Sequence, residues 1–297
     1  MSSLSHIQDG THVPLRLRDA AGERELPPFI TLEGVDGVGK STQARLLVLA
    51  LEHAGIDVLH LREPGGAAIS EKIRALLLDP ANSEMGDVCE LLLYEAARAQ
   101  LVHQVIEPAL AAGTLVVCDR FYDSTTAYQA HAAGLDAAMV EQANSLAVNG
   151  CHPALTLVFD LDPVAAQRRS ARTDADRMEA KGMAYQQRVA DGFRKIAKQD
   201  PQRVKIIDAS GDIKCVFAQV RAQLGAAGID LDEEDVAYAL DNLGDSAALD
   251  RAGEWIRLVV RITPCSVARA ALNCSRVSIS DSFVPWRGCQ GGPVEPD

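Results

Sequence analysis

A parallel α/β fold, with five strands and helices on both faces of the sheet, is predicted by three observations. Short apolar runs alternate along the chain with segments of helical period. Two of the runs are dense enough to be buried on both faces. Charged or glycine-rich clusters follow the runs, where the carboxyl ends of parallel strands gather.

The first strand is read at Phe29–Glu33, followed by Gly34-Val35-Asp36-Gly37-Val38-Gly39-Lys40-Ser41-Thr42 and a helix from Lys40 to about Ala54, with Gly55 as its cap. Gly-x-x-x-x-Gly-Lys-Ser between a strand and a helix is a phosphate-binding loop, so all nine residues are candidate ATP contacts and the class is a P-loop NTPase fold. Gly34, Gly37 and Gly39 let backbone N–H groups turn inward on phosphate oxygens, and the helix presents its positive end there. Lys40 is suited to the β- and γ-phosphates, and the Ser41 hydroxyl to Mg²⁺.

A second strand, Asp57–Leu61, ends at Arg62-Glu63-Pro64-Gly65-Gly66, and Ser70–Leu78 reads as a helix with Ser70 as N-cap. Asp87 to Ala112 keeps a helical period in which Pro108 marks a kink or break. Thr114–Cys118 is a buried strand that stops at Asp119-Arg120. Asp123 to about His131 and Asp136 to Asn149 look helical, Ala154–Asp160 is the fourth strand, and Pro163–Ala171 begins a helix. A charged break, Arg172–Glu179, precedes helix to Lys198, a fifth strand at Arg203–Asp208 and a helix over Asp212–Leu224.

Residues 1–28 carry no sustained periodicity and read as a disordered N-terminal extension. The catalytic domain is read as 29–225, and 226–297 as a C-terminal extension, a small accessory unit or disordered, with one possible acidic helix over Leu231–Leu243. A net charge of -12 over 297 residues argues against nucleic-acid binding, which relies on excess Lys and Arg. No apolar run approaches a membrane span and the first residues lack the core of a signal peptide, so a cytoplasmic protein is expected. The seven cysteines show neither Cys-x-x-Cys pairs nor zinc-ligand spacing and read as reduced thiols.

Taken together, four motifs in order resemble the thymidylate kinases: the phosphate loop, Arg62-Glu63-Pro64-Gly65-Gly66, Asp119-Arg120 with Ala127-Tyr128-Gln129, and Asp176-Arg177-Met178-Glu179. The resemblance spans about Phe29 to Leu224. It implies ATP-dependent phosphorylation of dTMP to dTDP by direct transfer with Mg²⁺, by a homodimer. Lys40, Asp119 and Arg120 are then catalytic, and Ser41 and Asp119 hold the metal. Arg62 and Arg120 grip the acceptor phosphate, and planar guanidinium forks suit that task. By the same resemblance Asp36 meets the deoxyribose 3′-hydroxyl, Tyr94 stacks on the base, and Arg98, one helical turn on, bonds a base carbonyl. Thr125, Tyr128 and Gln129 line base and sugar.

The family supplies its transition-state arginine either from the phosphate loop, just after the acid, or from a mobile lid. Gly37 occupies the loop position here, so the lid is expected to supply it, with Arg172 first and Arg168 next. A kinase for another nucleoside monophosphate and a P-loop regulator are the alternatives. The acceptor-phosphate arginines speak against the regulator.

Overall fold

The computed structural model describes residues 15–19, 22–26, 28–170 and 177–244. Phe29, at the start of the first sheet strand, follows two strands that the sequence does not predict: β1 (Leu15–Asp19) and β2 (Gly22–Leu26) form an antiparallel ribbon with Leu15 opposite Leu26 and Asp19 opposite Gly22. A disordered segment was the expectation there.

The main sheet holds β3 (Phe29–Glu33), β4 (Val58–Arg62), β5 (Leu115–Asp119), β6 (Leu155–Asp160) and β7 (Val204–Asp208), in spatial order β4-β5-β3-β6-β7 and parallel throughout. Successive side chains point to opposite faces, and both faces are buried. Ile30, Leu32, Leu115 and Val117 belong to one core cluster, whereas Phe29, Val116 and Cys118 belong to another. On the first face lie α1 (Lys40–His53), α8 (Met183–Gln199) and α9 (Ile213–Ala226). The second is covered by α3 (Asp87–Leu101) and α4 (Glu107–Ala111).

β3 is central, with β5 and then β4 on one side and β6 and β7 on the other. The chain therefore leaves β3 at a point where the strand order reverses, the usual place for a ligand crevice.

The remaining helices are α2 (Ala68–Leu78), α5 (Tyr122–Thr125), α6 (Ala137–Val148), α7 (Pro163–Ser170) and α10 (Glu233–Asp241). Ser70 is not the α2 cap: Ala67 is, and the buried Ser70 hydroxyl donates to the Ala97 carbonyl at 2.8 Å. The long helix after Asp87 is interrupted before Pro108, by a π-helical turn over Val102–Ile106, and continues directly into α4, with Pro108 in its first turn. A second π-helical turn spans Thr126–Ala132 and carries Tyr128 and Gln129. Such turns widen a helix and often stand at functional sites.

Past Gly225, where the extension was expected to begin, the described chain stays within the core. Ile229, Leu231 and Ala239 are buried, and α10 packs on α1 through a 2.8 Å hydrogen bond between His53 Nδ1 and Asp235 and stacking of His53 on Tyr238. Sequence period alone places α10 well but says nothing of the surface it covers.

Candidate active site

The phosphate loop rises from the carboxyl end of β3 and enters α1 through Gly39, which has φ 96°. Two of its glycines are obligatory. Gly34, with φ +133°, would set a Cβ 2.5 Å from the Phe159 carbonyl, and Gly37, with φ +83°, would set one 2.1 Å from the Ala166 carbonyl of α7. Lys40 is buried against the loop, its Nζ donating to the Gly34 and Val35 carbonyls at 2.9 and 2.8 Å. Burial, with the charge of Arg120, lowers its pKa to about 8 against the opposing pull of Asp36 and Asp119.

β5 delivers the next pair. Ser41 Oγ donates to Asp119 Oδ2 at 2.8 Å, while Asp119 Oδ1 is buried with no hydrogen-bond partner. A hydroxyl and an under-satisfied carboxylate beside a phosphate loop are the hard oxygen donors that Mg²⁺ takes, in small number, along with substrate phosphates. No group of three or more His, Cys, Asp or Glu side chains fit to hold a metal ion occurs among the described residues.

Arg120 has a left-handed backbone, φ 72°, rare for a side-chain-bearing residue and strained by about 1–2 kcal/mol. That conformation follows the strand end and turns the guanidinium back on the loop: Nη1 donates to the Gly34 carbonyl at 3.0 Å and Nη2 to Asp36 Oδ1 at 2.6 Å. Beneath it, Glu33 accepts from Phe121 N at 2.7 Å and from Ser124 Oγ at 2.5 Å. Burial, reinforced by Asp123, pushes the Glu33 pKa up to about 8.

On the other side of the crevice, Arg98 is 2% exposed and held through two of its three nitrogens: Nε donates to Glu63 at 2.8 Å, Nη1 to Glu95 at 2.6 Å and to Thr125 at 2.9 Å. Burial would lower its pKa, but the two carboxylates hold it above the ordinary arginine value. The Glu63 carboxyl, pushed up to about 7 by burial despite Arg98, keeps one oxygen buried and unpartnered. Tyr128 lies under the Arg120 guanidinium, 5.3 Å from ring centroid to Cζ, and its buried hydroxyl makes no hydrogen bond of good geometry. Burial pushes that phenol well above its usual range.

All of this opens on one cavity of about 940 Å³. Asp36, Gly37, Val38, Gly39, Lys40, Ser41 and Thr42 line it from the loop side, and Asp119 and Arg120 from β5. Arg62, Tyr94, Arg98, Thr125, Tyr128 and Gln129 line it from the acceptor side. Gly34 and Val35 stand behind, presenting carbonyls to Lys40. Arg62 is more than half exposed, with Glu71 3.5 Å away. Arg168 is exposed and outside the lining, whereas its neighbour Arg169 lines the cavity and donates to the Ala209 and Ser210 carbonyls at 2.8 and 3.2 Å. Arg172 lies outside the described residues. Arg177 is not a solvated cation of the charged break: it is buried and ion-paired with Glu90.

Several lining residues were not singled out from sequence. Arg74, on the helix after the Arg62 cluster, donates to the Pro64 carbonyl at 2.8 Å. Gly211, Asp212 and Ile213 bring the amino end of α9 to the crevice, with Asp212 as its N-cap. The cap was legible as Asp before an apolar period; its place beside the phosphate loop is tertiary.

A phosphate loop on a central parallel strand, facing a second cluster of arginines across one crevice, defines a P-loop nucleotide-binding α/β protein built for phosphoryl transfer. Residues 32–220 match the family described as Thymidylate kinase. A thymidylate kinase from Symbiobacterium thermophilum is 45% identical over 193 residues, covering 65% of this chain and 90% of that protein. One from Desulfosudis oleivorans is 46% identical over 204 residues, or 66% and 95% of the two chains. The crystal structure of thymidylate kinase from Ehrlichia chaffeensis superposes with a TM-score of 0.55 at 35% identity, covering 66% of this chain and 97% of that one. The chain belongs to the thymidylate kinase family.

Proposed function

We propose that the chain transfers the γ-phosphoryl group of ATP directly to the phosphate of dTMP, giving dTDP and ADP, with Mg²⁺ and with an arginine from the charged segment after α7. The observation that carries this reading is the placing of the phosphate loop and of Arg62 and Arg120 on one cavity. Two phosphate-bearing ligands there would meet end to end, the arrangement in-line transfer requires.

Within that reading Lys40 neutralises the donor phosphates, and its lowered pKa rises again as they approach. Ser41 and Asp119 would hold the metal. The ion supplies charge neutralisation at the β- and γ-phosphates when bound. Arg120 and Arg62 hold the acceptor phosphate in line, and Asp36, already locked to Arg120, meets the sugar hydroxyl. Tyr94 and Arg98 recognise the base; the Glu63 and Glu95 pairing fixes the Arg98 guanidinium in advance.

The choice of a lid arginine has steric support. An arginine at position 37 would need a Cβ where the Ala166 carbonyl stands, so the loop has no room for one, and Arg172 is the leading candidate, with Arg168 next. Ile69 and Leu76 on α2, Val88 and Leu92 on α3 and Leu146 on α6 are exposed on helices that pack side by side, which supports a homodimer through that face. No described helix is long and apolar enough to cross a membrane. The same reading has the enzyme at work in the cytoplasm with its nucleotide substrates.

The test is ADP release in the presence of ATP and Mg²⁺ with dTMP, dUMP, dCMP, dGMP or AMP offered in turn. Turnover with dTMP is expected, with dUMP the nearest competitor because one methyl group discriminates by only about 1–3 kcal/mol. ATP binding without turnover of any acceptor would replace the kinase by a nucleotide-binding regulator.

A further inference from the structure

Glu90 stands in the first turn of α3, completely buried, and its one carboxylate gathers three groups from two separate stretches of chain. Gln129 Nε2, from the second π-helical turn, donates to Oε1 at 2.8 Å. Lys181 Nζ reaches both oxygens, at 3.0 and 2.9 Å. Arg177 Nη1 lies 2.6 Å from Oε2, and its Nε donates to the Leu77 carbonyl at the end of α2 at 2.8 Å. Gln129, Leu78 and Met178, each a member or neighbour of this cluster, line the cavity; Glu90, Arg177 and Lys181 do not.

We propose that Glu90 is a positioning residue for the acceptor nucleotide: it fixes the orientation of the Gln129 amide and pins Arg177 and Lys181, and with them Met178, as the cavity wall behind it. The inference rests on the dTMP kinase reading. The bond to Glu90 fixes which way the amide faces: one Nε2 hydrogen is taken, and Oε1, with the second Nε2 hydrogen beside it, is left to meet a ligand, so the acceptor's base is offered an acceptor atom for one of its N–H groups. An isolated glutamine amide presents either end equally well, and a buried carboxylate removes that ambiguity. Burial alone would raise the Glu90 pKa, yet the bonds from Gln129 and Lys181 and the nearby Arg177 hold it below the usual carboxylate range, so the anchor stays ionised at neutral pH.

The bonds that Glu90 makes run to Gln129, Arg177 and Lys181 and not to the phosphate loop or the Ser41–Asp119 pair, so its effect is expected on one substrate. In full-chain enzyme, Glu90→Ala is expected to raise KM for dTMP by about tenfold or more while KM for ATP stays within twofold, the size of a lost charge-assisted bond. Glu90→Gln, which keeps an oxygen for Gln129 but no charge for the two cations, is expected to fall between, near threefold. In a Gln129→Ala background, Glu90→Ala should add little to the KM for dTMP, because the two share one role. A purely structural carboxylate would lower the melting temperature and the active fraction but leave the KM values alone. Wild-type KM for dTMP in folded Glu90→Ala, or equal rises for ATP and dTMP, would overturn the proposal. If Glu90→Ala does not fold, isosteric Glu90→Gln decides by the same split. Absence of dTMP turnover in the wild-type enzyme would instead remove the kinase reading itself.

Discussion

Arg120 and Asp36 are joined by a 2.6 Å ion pair across the mouth of the phosphate loop, and Arg120 also holds the Gly34 carbonyl. The residue that is to grip the acceptor is thereby built into the donor's loop. A planar fork is needed for both contacts at once, so Arg120→Lys, which keeps the charge, should still lose roughly 100-fold in kcat/KM for dTMP, or about 3 kcal/mol. Asp36→Asn, which keeps an acceptor oxygen but not the ion pair, should lose about tenfold. Steady-state kinetics on both variants would settle the order; an Arg120→Lys enzyme within threefold of wild type would show that a point charge suffices there.

The bond from Ser41 to Asp119 makes a separate prediction about the metal. Asp119→Asn removes the carboxylate whose second oxygen is buried without a partner, and Ser41→Ala removes the hydroxyl. Both should shift the Mg²⁺ activation curve to higher concentration, Asp119→Asn by at least about tenfold because it removes a charge as well as an oxygen. Titrating activity against Mg²⁺ at fixed ATP reads this directly. Unshifted curves with a lower plateau would mean that the pair acts on the transition state and not on the ion.

Glu33 should leave its mark on stability. Burial, then the Asp123 charge, raises its carboxyl from 4.5 to about 8, against bonds from Ser124 and Phe121 and the charge of Arg120. A raised folded-state pKa means that the folded protein holds a proton the unfolded chain has released. The stabilisation is therefore complete below pH 4.5 and lost as pH rises towards about 8. Glu63, raised to about 7 by burial, has the same sign. Melting temperatures measured from pH 5 to 8 should fall less steeply in Glu33→Gln than in wild type. Parallel profiles would mean that Glu33 is ionised in the folded state across this range.

These three predictions rest on residues whose chemical type and place at a strand end or in the phosphate loop could be read from sequence, and the structure shows where that reading stops. Strand ends were legible because a buried apolar run must terminate where charge begins, as at Cys118 followed by Asp119 and Arg120. The phosphate loop was legible because its glycines satisfy a backbone requirement that Gly34 and Gly37 now show in numbers. Arg98 and Arg177 were read in position but not in environment, since a buried arginine and a solvated one look the same until its carboxylates arrive from elsewhere: Glu63 comes from beyond β4, and Glu90 from the start of α3. Glu90 itself carried no signal, being one more acid in the first turn of a helix. The π-helical turns were invisible for a related reason: their extra residue is absorbed without changing the apolar pattern enough to show.

The last prediction concerns the boundary of the folded unit. Ile229 and Leu231 are buried after α9, Ala239 is buried on α10, and α10 closes on the carboxyl end of α1 through Asp235 and Tyr238 against His53. Burying an isoleucine and a leucine contributes roughly 3–6 kcal/mol together. A chain ending after Gly225 should therefore melt about 10 °C below one ending after Gly244. Catalysis at low temperature should be nearly equal in the two, because the hydrogen bond and the ring stacking from α10 fall at His53, about 20 Å along α1 from Lys40 at 1.5 Å per residue. Equal melting temperatures would show that the 229–241 packing contributes nothing net. Lost activity with folding intact would show that the far end of α1 is felt at the phosphate loop, and the helix would then be a strut between the two and not merely a cover for the sheet.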